Sequence, residues 1–280
     1  MNARNELSSL NDISFAESDS AFREGLSLDT VRNRAPAVFA PAAHECLSPK
    51  YGFISTQRVL EALMHVGFVP MEVTQTRTRR ASPLHARHVV RLRRRLETIA
   101  LTDSVPEVVF LNSHDGTSAY QLRIGIFRPI CTNGLITSRG AFPAICVAHR
   151  GNVVDQVVEG ALALADRFDA LAGQVELMQA RLLTDYDQLR FAEDVLALRY
   201  PDAAETGMAS SQLLRCRRAE DGGNDLWSVL NRCQENLLRG GLNRRSVQGR
   251  LVRTRGITAI RRNLSLNEQI WDLAAQRMAA

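Results

Sequence analysis

Lysine is nearly missing from this chain: Lys50 stands alone, and every other one of the 35 basic side chains is arginine. A guanidinium is a planar fork of donors that suits phosphate oxygens and the faces of bases, whereas an ammonium is a point charge. The same bias follows from a GC-rich genome, so the placement of the arginines has to decide between the two explanations. Cysteine pairs are lacking as well. Cys46, Cys131, Cys146, Cys216 and Cys233 are scattered with no CxxC among them, which argues against a disulfide framework and for reduced thiols in the cytoplasm. No apolar run approaches about 18 residues, so no membrane span and no membrane partner are expected. The N-terminus lacks a basic stretch followed by an apolar one, and so reads as having no secretory signal. Walker A, GxGxxG, HExxH and nucleophile-elbow patterns are all missing, which weighs against nucleotide hydrolysis and the common hydrolases. Zinc-finger, RNP and helix-turn-helix signatures are missing too, so base-specific reading has no support. No cofactor and no metal-ligand set is expected.

What is present is well organised. Val105–Leu135 reads as two strands joined at Asp115-Gly116, a pair that supplies the positive φ angles of a type I′ turn. Val108 to Leu111 is apolar on both faces, while Tyr120, Leu122, Ile124 and Ile126 alternate with Gln121 and Arg123. Upstream, Ser55 caps a helix from Thr56 to Val66, and Gly67 ends it. Phe68–Thr78 and His85–Arg95 alternate as strands, with His88, Val90 and Leu92 on one side. Phe142–Val147 makes a further short strand. His149-Arg150-Gly151-Asn152 opens a stripe from Val154 to Met178 that reads as one helix of about 30 residues, or about 45 Å. Asp185–Tyr200 is a helix stopped by Pro201. Leu226 to Leu237 is another, capped by Asn224 or Asp225, and Ser265 to Glu268 reads as a capping box for a last one. The fold class expected is α+β: an antiparallel sheet of about five strands backed by a long helix, with a helical, basic C-terminal region. Residues 1–27 read as a flexible arm, 28–200 as the core domain, and 201–280 as the arginine-rich region packed on it.

Two stretches concentrate arginine without acids. The first holds Arg77, Arg79, Arg80, Arg87, Arg91, Arg93, Arg94 and Arg95. The second runs through Arg239, Arg244, Arg245, Arg250, Arg253, Arg255, Arg261 and Arg262, with no carboxylate between Glu235 and Glu268. Like charges so close repel, and a polyanion removes that repulsion while releasing counterions. The competing explanation is internal pairing with the acidic helices, where Asp155, Glu159, Asp166, Asp169, Asp185, Asp187, Glu193 and Asp194 lie. Arg150 sits at a helix start, where free N–H groups gather and favour a phosphate. Aromatic residues that might stack on bases (Tyr51, Phe53, Phe68, Trp227, Trp271) read mainly as core. Asn112, Ser113, His114 and Asp115, with Asn133, read as an acid–base or metal cluster, since His and Asp adjacent at a turn can move a proton or coordinate a cation. Asn112, His114 and Asp115 are the catalytic candidates there, set against ordinary Asx-turn chemistry.

LNSHDGTSAYQ (111–121), FRPICTNGL (127–135), HRG (149–151) and RRAEDGGNDLWSVLNRCQENLLRGG (217–241) occur in an order that resembles the domain-of-unknown-function 932 family, in its prophage YfjQ/YafZ-like branch. The resemblance runs from about Ala35 to the C-terminus. It implies a plasmid or prophage context and carries no catalytic residue across.

The function expected from the residues is a non-enzymatic, sequence-independent DNA-binding protein of a mobile element, with single strands preferred. It would act in recombination, DNA transfer or counter-defence, with Arg77, Arg79, Arg80, Arg91, Arg93, Arg94, Arg95, Arg150, Arg244, Arg245, Arg250, Arg253 and Arg255 on phosphates. The alternatives are an enzyme at Asn112, His114 and Asp115, or an interaction protein aimed at a host defence component. A homo-oligomer is left open.

Overall fold

Alternating apolar and polar side chains build the sheet. In a computed structural model, which describes residues 25–48, 51–76, 82–95, 104–127, 135–137, 142–148 and 153–279, its strands are β1 (Phe68–Gln75), β2 (His88–Arg94), β3 (Val105–Asn112), β4 (Tyr120–Phe127), β5 (Leu135–Thr137) and β6 (Ile145–Val147). Their order is β1-β2-β3-β4-β5, with β6 also on β4. The pairs β1/β2, β2/β3, β4/β5 and β4/β6 are antiparallel. The fold is α+β with an antiparallel sheet, as expected. Strand β4 divides its far edge: Tyr120 to Leu122 pair with β6, and Ile124 to Ile126 pair with β5.

The chain forms two compact units. One comprises Met1–Thr98, Glu107–Leu122 and Ile145–Ala165; the other Ile99–Pro106, Arg123–Ala144 and Asp166–Ala280. The first unit holds α1 (Leu28–Arg34), α2 (Thr56–His65) and α3 (Val153–Ala165). Ser27 caps α1 by accepting from the Thr30 N–H. Helices α2 and α3 pack together, and Leu60 and Leu63 on one and Val157 and Leu164 on the other are fully buried. On α3 a Cβ at Gly160 would sit 2.9 Å from Leu122 Cδ1 and 3.2 Å from Ile145 Cγ2. A side chain there would hold the helix off the sheet, and only glycine permits the approach.

The second unit holds α4 (Phe168–Ala180), α5 (Asp185–Ala197), α6 (Leu226–Arg239), α7 (Ile260–Ala279) and a hairpin of β7 (Asn243–Arg245) and β8 (Leu251–Arg253). Phe168, Leu171, Val175, Phe191, Val195, Leu230, Leu237 and Ile270 are its buried apolar positions. Thr184 and Asp187 make the capping box of α5, and the Asp225 carboxylate caps α6 by accepting from the Ser228 N–H at 2.9 Å.

Three local expectations are corrected. The stripe read as one helix to Met178 is two helices, α3 and α4, broken at Asp166-Arg167, where Arg167 leaves helical dihedrals (φ −98°, ψ 1°). The stripe survives the break because each half still presents one apolar face. The capping box at Ser265–Glu268 does not form: α7 starts at Ile260, the Gln269 side chain donates to the Ser265 hydroxyl, and Glu268 pairs with Arg123. The Asp115-Gly116 hairpin is not a two-residue turn, since residues 113–119 separate the strands. Residues 1–24, the Asn133 turn and the helix start at 149–152 lie outside the described residues. Among the described residues no helix is long and apolar enough to cross a membrane.

Candidate nucleic-acid interface

The second arginine stretch, in a region expected to be helical, folds as a hairpin. Asn243, Arg244 and Arg245 lie opposite Arg253, Val252 and Leu251. The turn closes with Ser246 N–H on the Arg250 carbonyl and Gly249 N–H on the Ser246 carbonyl, both at 2.8 Å, with Gly249 at φ +74°. Alternation puts Asn243, Arg245, Leu251 and Arg253 on one face and Arg244 and Val252 on the other. The signal for this was the Ser246–Gly249 turn with Leu251-Val252-Arg253 after it.

The stem of the hairpin is fixed at three places. Gln212 pairs with the Asn243 backbone in both directions, donating from Nε2 at 3.0 Å and accepting at Oε1 at 2.7 Å. The Arg245 N–H donates to the Thr206 carbonyl at 2.8 Å. Gly240, at φ +73°, crosses the strand below the hairpin so closely that a Cβ would meet the Arg255 carbonyl carbon at 2.6 Å. Arg199 then donates to the Leu237 and Arg255 carbonyls at 2.5 and 2.6 Å, and burial pulls its pKa below the ordinary value.

The charged groups on this scaffold have few acidic neighbours. Arg245, Arg250, Arg253 and Arg255 are exposed and Arg244 is half-buried. Among the described residues none of the five has a carboxylate at ion-pair distance. Arg239 pairs with Glu235, which Arg218 also holds. Val247 is fully exposed at the turn, and Leu251 is 71% exposed beside it.

The first arginine stretch has a different fate. Arg77, Arg79 and Arg80, like Arg150, lie outside the described residues. Arg91 Nε and Arg93 Nη2 each donate at 2.7 Å to one oxygen of Glu107, a carboxylate with no exposure. Burial lowers the Arg93 pKa, against the pull of Glu107. These two arginines share the single carboxylate of Glu107 on the neighbouring strand β3, so the trio carries one net positive charge. Arg94 is half-buried and Arg95 exposed at the end of β2.

The acid–base candidates are buried. Asn112 and His114 have no exposed surface, and Asp115 is partly exposed. Their centre is Thr56, at the first turn of α2 and not singled out in the sequence. His88 Nδ1 lies 2.9 Å from the Ala86 carbonyl, which only accepts, so Nδ1 carries the proton and Nε2 is the acceptor. The Thr56 hydroxyl therefore donates to His88 Nε2 at 2.9 Å. Its oxygen accepts from Asn112 Nδ2 at 2.9 Å and from His114 Nε2 at 3.1 Å. One hydroxyl thus uses its donor and both lone pairs. Asp115 instead accepts from the backbone and hydroxyl of Thr117, an Asx-turn that, with its other hydrogen bonds and the nearby Arg87, keeps its carboxyl below the usual value. Phe53 and His88 flank the His114 ring at centroid distances of 5.1 and 5.3 Å. Trp227, Trp271 and Phe68 are core. Among the described residues no three His, Cys, Asp or Glu side chains form a metal-ligand set.

Burial pushes the His88 pKa down to about 4, against the Ala86 carbonyl and Asp115. The unfolded chain, with an ordinary histidine, binds the proton first as pH falls. The contribution of His88 is complete above its unfolded pKa and is lost as pH drops toward the folded one. Stability should fall by about 2 kcal/mol between about pH 7.5 and about pH 5 from this group. Urea midpoints across that range test it, with His88→Gln flattening the dependence.

The chain belongs to the family described as Domain of unknown function (DUF932), which matches residues 43–271. It is similar to UPF0380 protein YafZ of Escherichia coli (strain K12), with 39% identity over 240 residues, covering 85% of this chain and 86% of the relative. It is similar also to UPF0380 protein YfjQ of the same organism, 38% identical over the same length and shares. No solved structure matches the chain.

Proposed function

We propose that this is a non-enzymatic, sequence-independent DNA-binding protein of a plasmid or prophage, serving recombination, transfer or counter-defence. The observation that carries the reading is the β7–β8 hairpin, where Arg244, Arg245, Arg250, Arg253 and Arg255 have no acidic partner among the described residues. Its stem is pinned by Gln212 on the Asn243 backbone and by the Arg245 N–H on the Thr206 carbonyl, so binding orders little of the hairpin backbone that is not ordered already. Exposed Val247 and Leu251 beside them offer apolar contact to bases, which suits an unstacked single strand more than a duplex. The catalytic reading draws no comparable support, because Asn112 and His114 present no surface to a substrate.

The test is oligonucleotide binding by fluorescence anisotropy against salt. With about five phosphates neutralised at ~0.7 per phosphate, the log–log slope should be near −3.5, or about 100-fold weaker binding at about 200 than at about 50 mM salt. Replacing Arg244, Arg245 and Arg250 together by glutamine should make that slope shallower by about 2. Binding that ignores salt, or a slope unmoved by the triple replacement, would overturn the reading.

A further inference from the structure

Beside the hairpin stem the second unit has a cavity of about 390 Å³, lined by Arg215, Arg217, Arg239 and Arg253 together with Gln212, Asn236 and the backbone of Gly240 to Asn243. Four guanidinium groups and no carboxylate make up its charged lining. Glu235, which pairs with the lining Arg239, is 5% exposed in its side chain and is shared with Arg218.

Two of these arginines are held in place, Arg217 by hydrogen bonds and Arg239 by Glu235. Asn236, 2% exposed, is the post: its Nδ2 donates to the Leu213 and Arg215 carbonyls at 2.9 and 2.8 Å, fixing the backbone that carries Arg215. Its Oδ1 accepts from Arg217 Nε at 2.8 Å, and Arg217 Nη2 donates to the Gly240 carbonyl at 3.3 Å. The Arg217 plane is therefore set from below, and its Nη1 makes no hydrogen bond among the described residues. Arg253 reaches the cavity from β8, opposite Asn243, which the Gln212 amide pins. The C-terminus of α6 also ends here, and its carbonyl ends disfavour an anion. Arg217 on the Gly240 carbonyl and Arg199 on the Leu237 carbonyl offset that.

We propose that this cavity is a phosphomonoester site. A recess lined by several guanidinium forks suits a compact, multiply charged group with oxygens on every side. A terminal phosphate has about −1.5 to −2 charge and three acceptor oxygens, whereas a diester within a strand has one charge and two flanking sugars that a recess excludes. The proposal rests on the hairpin reading for one of its two sources, the phosphorylated end of a strand whose backbone follows the hairpin. The other source is a free nucleoside monophosphate.

Calorimetric titration of the full chain with thymidine 5′-monophosphate tests the cavity without any oligonucleotide. Binding at sub-millimolar concentration is expected, with none by thymidine. Arg215→Gln, exposed and outside the hairpin, should weaken it about 10-fold, whereas Arg190→Gln on α5, which is paired with Glu193, should not. Oligonucleotides with and without a terminal phosphate then assign the source. A gain of about 10-fold on phosphorylation, lost in Arg215→Gln, identifies a strand end, and monophosphate binding without that gain identifies the free nucleotide. Equal behaviour of thymidine and its monophosphate, or monophosphate binding indifferent to Arg215→Gln, overturns the proposal. Salt-independent oligonucleotide binding would remove the hairpin reading while leaving the monophosphate titration decisive for the cavity.

Discussion

Replacing Glu107 with alanine is expected to destabilise the protein by about 3–5 kcal/mol, because two largely buried guanidinium groups would lose the carboxylate they share. Arg91 and Arg93 stand on one face of β2, with side chains 12% and 14% exposed, and each takes one oxygen of the same carboxylate. Val109 lies opposite Arg91 in the ladder, so the vacated space is walled by apolar atoms and the neighbouring strand. Ordinary surface ion pairs contribute about 0–1 kcal/mol and would not show such an effect. The cost should arise from the stranded charges more than from the lost attraction. Converting Glu107, Arg91 and Arg93 together to leucine should therefore cost less than the single replacement. Urea unfolding of the single and triple variants measures both quantities. A single variant within about 0.5 kcal/mol of the parent would mean the arginines reach solvent easily.

Thr56→Val is the second large effect, expected at about 3 kcal/mol or more. Valine keeps the shape and removes the hydroxyl that His88 Nε2, His114 Nε2 and Asn112 Nδ2 share. Each buried group left unmatched costs about 1–3 kcal/mol, and the three would relax only in part. Thr56→Ser, which restores the donor and both lone pairs, should recover most of the loss. The urea midpoints of the two variants give the comparison. The pH dependence of Thr56→Val should also change, since His88 then lacks the hydroxyl that donates to its unprotonated nitrogen.

Periodicity revealed the elements whose faces are decided locally. His88, Val90 and Leu92 are buried along β2, as their alternation implied, and Asp225 caps α6. The break at Asp166-Arg167 was invisible because Leu164, Phe168, Leu171 and Val175 keep helical spacing across it. The Ser265–Glu268 pattern failed through competition, since Arg123, distant in sequence, takes the glutamate. The β3–β4 link lengthened because His114 turns inward to Thr56 and is held by backbone bonds to His44 and His85. Partners 32 to 58 residues away make the Thr56 cluster, and no spacing rule reaches that far. The hairpin arginines were legible as charge, but their ladder was not: Arg244 to Arg253 resembles a polar helix until the Ser246–Gly249 turn is given weight.

The path of the chain through its two units settles how this protein can be dissected. Since the backbone passes from one unit to the other inside β4, returns at Ile145 and departs again after Ala165, neither half is a continuous piece of gene. A stop codon after Ala165 would keep the first unit's three segments but strand residues 99–106 and 123–144 without the remainder of their own. Expression of fragments cut at a unit boundary should therefore yield insoluble material, and the practical way to study the arginine hairpin alone is by point substitution in the intact polypeptide.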